Sequence, residues 1–154
     1  MPAGPLRESL ERLDDADFVV SSSRMTNIKT KHRNYLMNYR PIEWARIADN
    51  KRFPADSWPL SRNVHAVAGI GNPAKFYKTL INLGLNPIQH SFPDHYQFKE
   101  EDLDFGDSLP IIMTEKDAAR CLDMDNKNLW YLSVEAKFED ETFEKTILEK
   151  IKAF

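Results

Sequence analysis

From Leu60 to the C-terminus, short apolar runs alternate with segments of helical spacing, and this alternation restricts the possible folds more than any other feature of the chain. Val64-His65-Ala66-Val67-Ala68 reads as a strand. "NPAKFYKTLINLG" follows as a helix, with Asn72 at the N-cap, Pro73 in the first turn and Gly84 just past the end. Phe76, Leu80 and Leu83 form its apolar stripe. "NPIQHSF" is the next strand, "KEEDLDF" a short acidic helix, and "LPIIMT" a third strand. A helix "EKDAARCL" with Thr114 as N-cap, a fourth strand "LWYLSVEA" and an amphipathic helix "DETFEKTILEKIKAF" complete the pattern. Strands separated by helices build a largely parallel sheet covered by helices. Ligands of such sheets bind beyond the carboxyl ends of the strands. The loops Gly69–Asn72, Ser91–His95 and Thr114–Asp117 each follow a strand and are expected on one edge.

The first sixty residues are less regular. "PLRESLERL" places Leu6, Leu10 and Leu13 at helical spacing behind Pro5, and Asp17–Ser21 reads as a short strand. "NYLMNYRPIEWARIADNKRFPADSW" has the loose alternation, the edge-type prolines and the Asp49-Asn50 turn of an exposed hairpin. The expected fold is therefore α/β: a largely parallel sheet of about four to five strands flanked by helices, with a protruding two-stranded hairpin.

A chain of 154 residues fits one average domain. Its 42% apolar and 29% charged residues describe an ordinary globular protein. A net charge of −3 carries no general preference for nucleic acid, and none is expected as a partner. The charge is uneven, because Phe18 to Ile42 contains no acid while Arg24, Lys29, Lys31, Arg33 and Arg40 supply positive charge. Such a block can meet phosphates, an anionic membrane surface or nucleic acid, and it can equally be a solvated face. The single Cys121 leaves no internal disulfide and no zinc cluster, so no metal ligands are assigned. "MPAGPLRESLERL" lacks a signal-peptide core, and no apolar run approaches the roughly 20 residues that cross a bilayer. These features fit a cytoplasmic protein.

Gly69-Ile70-Gly71 resembles part of a nucleotide-binding turn, but the fit is incomplete. A Walker A loop needs G-x-x-x-x-G-K-[ST], which the chain lacks. A dinucleotide fingerprint needs a third glycine where Ala74 stands. A tight strand-to-helix turn explains the pair at least as well. In "SFPDHYQF", Asp94 and His95 lie side by side in a loop after a strand. A histidine relays protons near neutral pH, and a neighbouring carboxylate can fix its tautomer. A loop histidine that caps a helix or meets a carbonyl is the plain alternative. "MTEKDAARC" crowds Thr114, Glu115, Lys116 and Asp117 at a helix start. The acids suit the dipole there, whereas Lys116 does not and makes more sense beside an acid or a phosphate.

Taken together, "PAGPLRE", "AVAGIGNPAKFYKTL", "FPDHYQF", "IIMTEKDAARC" and "WYLSVEA" resemble, in order, the motifs of the tetraacyldisaccharide 4'-kinases. These bacterial enzymes of the P-loop superfamily phosphorylate an acylated disaccharide 1-phosphate lipid with ATP and Mg2+ in lipid A biosynthesis. The resemblance implies the C-terminal lobe of such a kinase, without the Walker A loop and inactive alone. It implies catalytic roles for His95 and its neighbour Asp94, and places Arg7, Glu8, Lys116 and Asp117 near nucleotide or phosphate, with structural support as the alternative for Lys116 and Asp117. Arg24, Lys29, Lys31 and Arg33 would face the anionic inner-membrane surface of a Gram-negative bacterium, with a missing N-terminal P-loop lobe as partner. Residues 1–30 would end the nucleotide-binding lobe, 31–60 would form the hairpin linker, and 61–154 the C-terminal lobe. The other reading is a standalone non-catalytic module that binds an anionic lipid surface or a protein.

Overall fold

The computed structural model describes residues 10–22, 31–124 and 126–153. Arg7, Glu8, Arg24 and Lys29 lie outside them, as does the start of the helix expected from Pro5; a 3-10 turn covers Leu10–Asp15. The chain divides into two compact units, Met1–Arg40 with Ala136–Phe154, and Pro41–Glu135. This does not follow a division at residues 30 and 60. The last helix groups with the first forty residues, because its aromatic anchor finds its partners there.

In the first unit, β1 (Val19–Ser21) pairs in parallel with the start of β2 (Asn34–Arg46), Val20 opposite Tyr35. The Glu139 N–H donates to the Leu36 carbonyl at 3.0 Å. Phe143, buried at the start of the C-terminal helix, packs on Tyr35, Phe138 and Phe18 at ring separations of 4.1, 4.4 and 5.5 Å. Arg33 lies over the Tyr35 ring and meets Asp140 at 2.7 Å.

The second unit holds the expected parallel sheet. Its elements are the end of β2, β3 (Arg52–Pro54), β4 (Asn63–Ala68), α1 (Pro73–Asn82), β5 (Asn86–Ser91), β6 (Ile111–Thr114), α2 (Glu115–Ala118) and most of β7 (Leu129–Phe138). β4 lies between β5 and β6, and β6 pairs with β7, all in parallel. Alternation along β4 divides the core into two layers. Val64, Ala66 and Ala68 pack with Phe76, Tyr77 and Leu80 of α1, whereas Val67 packs with Met113, Ala118 and Cys121 on the other face. Burial holds the Cys121 thiol up at about 11, a structural rather than reactive cysteine.

The hairpin exists but does not stand free. β3 pairs antiparallel with β2, and Asn50 takes φ 55° in the turn. Trp44 and Ala45 are fully buried. Trp44 donates its indole N–H to the Ala55 carbonyl at 3.0 Å and packs on Trp58, which in turn meets Trp130. The aromatic residues draw the hairpin into the core. Two expected helices are also shorter than their sequence pattern. "KEEDLDF" forms only a 3-10 turn, Glu100–Leu103. α2 ends at Ala118, after which Arg120 and Cys121 donate to carbonyls three residues back. Asn72 stands at the N-cap of α1 without a side-chain cap bond, while Gly84 takes the left-handed conformation that ends the helix.

His65 is a buried polar residue on β4, and its partners are supplied across the sheet. Its Nδ1 lies 2.9 Å from His90 Nε2, its Nε2 lies 3.2 Å from both oxygens of Asp107, and Phe105 stacks on both rings. Burial, then the nearby His65, pushes the His90 imidazole below its ordinary value.

Trp44→Ala should lower unfolding stability by about 3–5 kcal/mol in denaturant titrations. A free-standing hairpin would lose only about 0.5 kcal/mol, the usual scale for an exposed position.

Candidate functional site

The strand order reverses at β4. The chain leaves β4 through α1 to β5 on one side, while β6 continues through α2 to β7 on the other. Such a reversal opens a crevice at the carboxyl ends of the two central strands. The three loops expected on one edge do meet there. The Gly69 N–H donates to Asp117 Oδ2 at 3.0 Å, and the His95 N–H donates to the Gly69 carbonyl at 3.2 Å.

Each loop is held by its own sequence. Thr114 caps α2 by accepting the Asp117 N–H, and its hydroxyl donates to Asp117 Oδ2 at 2.7 Å. The Phe92 N–H donates to the Ala68 carbonyl at 2.9 Å, continuing the β4–β5 pairing into the loop. Phe92, Tyr96 and Phe98 pack against one another at 4.9 to 5.3 Å and fix the loop that carries Asp94 and His95. Tyr77 of α1 donates its hydroxyl to the His90 carbonyl at 2.8 Å and holds the end of β5.

The exposed side chains form a compact polar cluster. Lys116 Nζ lies 3.3 Å from Asp94 Oδ1 and 3.5 Å from His95 Nε2. Asp94 Oδ2 lies 3.8 Å from the same His95 nitrogen. Arg120 donates to His95 Nδ1 at 3.2 Å and to Asp117 Oδ1 at 3.0 Å. The His95 side chain is 70% exposed, open to an incoming group, and its backbone adopts φ 63°. A non-glycine residue in that region is uncommon and is held by surrounding contacts. Partial desolvation works to raise the Asp94 carboxyl, but the Lys116 hydrogen bond and the neighbouring His95 hold it below its ordinary value.

Asp94, His95 and Lys116 thus share one surface, as their loops suggested. Asp117 differs from them, being fully buried beneath that surface with its carboxylate engaged by Gly69, Thr114 and Arg120. Sequence reasoning passed over Arg120. It stands four residues after Lys116 and three after Asp117, a spacing that returns it to the same side of a helical turn. Lys31 and Arg33 belong to the other unit, where Arg33 meets Asp140.

The sequence model of the family described as LpxK, tetraacyldisaccharide-1-P 4'-kinase, matches residues 1–152. The chain belongs to this family. A tetraacyldisaccharide 4'-kinase of Hahella chejuensis is 39% identical over 145 residues, covering 94% of this chain and 42% of that protein. One from Pseudomonas putida is 40% identical over 136 residues, covering 88% and 40%. The chain therefore spans about two-fifths of the length of these curated relatives. Among solved structures, LpxK from Aquifex aeolicus in complex with ATP superimposes with a TM-score of 0.70 at 28% identity, covering 98% of this chain and 47% of that one. The α/β lobe of the LpxK family is thus the fold of this chain.

Within that lobe, Gly69 and Gly71 separate in role. A Cβ on Gly69 would sit 3.2 Å from Asp117 Oδ1, 3.3 Å from Phe98 Cζ and 3.3 Å from the Pro93 carbonyl oxygen, whereas one on Gly71 meets nothing within 4 Å. Gly69→Ala should cost roughly 1–3 kcal/mol through forced displacement of packed groups. Gly71→Ala should stay within about 0.5 kcal/mol in the same unfolding titrations. The depressed Asp94 carboxyl carries a sign: its contribution is present above the ordinary carboxyl value and is lost as pH falls through the lowered one. Lys116→Ala should therefore move the Asp94 titration, followed by carboxyl 13C shifts, back up toward the ordinary value.

Proposed function

We propose that this chain supplies the acceptor-side acid–base cluster of a tetraacyldisaccharide 4'-kinase, as its C-terminal portion. The complete enzyme would transfer the γ-phosphate of ATP to the 4'-hydroxyl of a tetraacyldisaccharide 1-phosphate lipid. One observation carries this reading: His95, Asp94 and Lys116 meet at the reversal point of the sheet in a chain that the family model matches over residues 1–152.

Among the described residues, no group of three or more His, Cys, Asp or Glu side chains could hold a metal ion. The sequence also has no Walker A loop. ATP and Mg2+ are both assigned to the P-loop lobe of the complete enzyme. Residues 1–30 would close that lobe, with Arg7 and Glu8 near the nucleotide, while the unit Pro41–Glu135 carries the acceptor-side cluster.

The tasks of this chain's own residues follow from the geometry. His95 presents its imidazole to the solvent side, where it can take or direct the proton of the sugar hydroxyl. The Lys116 ammonium, steadied by Asp94, offsets negative charge on an incoming phosphate. Asp117 is read as the support beneath these groups. Arg24, Lys29, Lys31 and Arg33 are assigned to the anionic membrane surface that holds the lipid, in a peripheral mode. No helix among the described residues is long and apolar enough to cross a membrane.

His95→Ala in the full-length kinase should lower kcat by about 10²-fold or more while the unfolding midpoint stays unchanged. Unchanged turnover would remove His95 from the chemistry. The 154-residue chain alone should show no ATP-dependent phosphorylation of the lipid; measurable product would overturn the assignment of the nucleotide site to other residues.

A further inference from the structure

Resting on the kinase reading above, we propose that Arg120 is the positioning residue of this site, holding His95 in the neutral tautomer that carries its proton on Nε2. A guanidinium only donates hydrogen bonds. Its Nη2 lies 3.2 Å from His95 Nδ1, so that ring nitrogen must offer a lone pair. A neutral imidazole has one N–H, which therefore sits on Nε2. The competing donor is Lys116, at 3.5 Å from Nε2. Lys116 is farther away than Arg120 and has an alternative acceptor in Asp94 at 3.3 Å. The stronger claim on the ring is thus made at Nδ1.

Arg120 is suited to this task because its other end is fixed. Its side chain is 15% exposed, and its Nη1 lies 3.0 Å from Asp117 Oδ1. Asp117 is fully buried and held from beneath by the Gly69 N–H and the Thr114 hydroxyl. A continuous run of hydrogen bonds connects the turn after β4 to the imidazole of a loop residue with left-handed backbone. The outward face of His95 then presents an N–H, not a lone pair. In this tautomer the ring donates a hydrogen bond to an oxygen opposite it, so of the two roles, taking or directing the hydroxyl proton, the geometry selects directing. Such orienting partners commonly decide how well a histidine performs.

The test uses two-bond 1H–15N correlation spectra of the histidine rings, together with kinetics. In the 154-residue chain at alkaline pH, His95 should show the pattern of an Nε2–H tautomer. Arg120→Met should shift that pattern toward a mixture of tautomers, and Arg120→Lys, which keeps a cationic donor, should restore most of it. If Arg120→Met fails to fold, Arg120→Gln supplies a neutral donor at the same place and should keep the Nε2–H pattern. In the full-length kinase, Arg120→Met should reduce kcat roughly tenfold with KM little changed, and Arg120→Lys should recover it. A wild-type proton on Nδ1, or a ring pattern identical in wild type and Arg120→Met, overturns the proposal. Changed ring spectra combined with full kcat, in an enzyme that His95→Ala disables, overturns the functional part. If His95→Ala itself leaves turnover intact while the ring spectra respond as expected, the kinase reading of the site fails and the tautomer assignment stands.

Discussion

The buried carboxylate of Asp117 is the group on which the arrangement of this edge depends. A charged side chain excluded from water is strongly unfavourable unless its oxygens are hydrogen-bonded and its charge is balanced. Here the Gly69 N–H, the Thr114 hydroxyl and the Arg120 guanidinium meet those requirements. The need is mutual: the turn after β4 and the start of α2 cannot separate without stranding the charge. Gly69 follows from the same constraint, since a side chain there would press on Asp117, Phe98 and the Pro93 carbonyl together. One buried charge therefore sets a glycine, a helix cap and the direction of an arginine.

The parallel sheet brings these parts to one edge. β4 is central and its two faces serve different layers, so α1 and α2 lie on opposite faces while the loops before them leave from the same end. The loop after β5 is longer and would be loose on its own. Phe92, Tyr96 and Phe98 tie it to the layer that contains Val67 and Met113. The polar cluster is exposed, but what positions it is apolar. That separation lets Asp94, His95 and Lys116 meet solvent without loss of geometry.

Much of this was legible in the sequence, for a physical reason. Strand and helix periods differ, so the β4–α1–β5 and β6–α2–β7 alternation is written directly in the spacing of apolar residues, and Thr114 announces its cap. The convergence of the loops follows from the fold class. What was not legible depends on neighbours distant in sequence. Asp117 and Glu115 look alike at a helix start, yet one is buried and the other is exposed and meets Ser133. Arg120 looks like an ordinary helix residue until His95 is placed beside it. The partnership of His65 with His90 requires the β4–β5 register, and the inward turn of the hairpin requires Trp58 and Trp130 to receive Trp44. After Ala118 the chain tightens into bonds of shorter span, from Arg120 to Asp117 and from Cys121 to Ala118.

The glycine pair after β4 shows how far local likeness can mislead. At the reversal point of an open α/β sheet, a glycine turn into a helix often offers its free N–H groups to phosphate. In this chain the Gly69 N–H is already donated to Asp117. A phosphate brought to that turn would have to displace a carboxylate that Arg120 and Thr114 also hold. The same carboxylate directs positive charge outward, because it fixes Arg120 beneath His95, while Lys116 rises beside Asp94. The turn serves this edge by holding Asp117 together with the Thr114 hydroxyl and the Arg120 guanidinium.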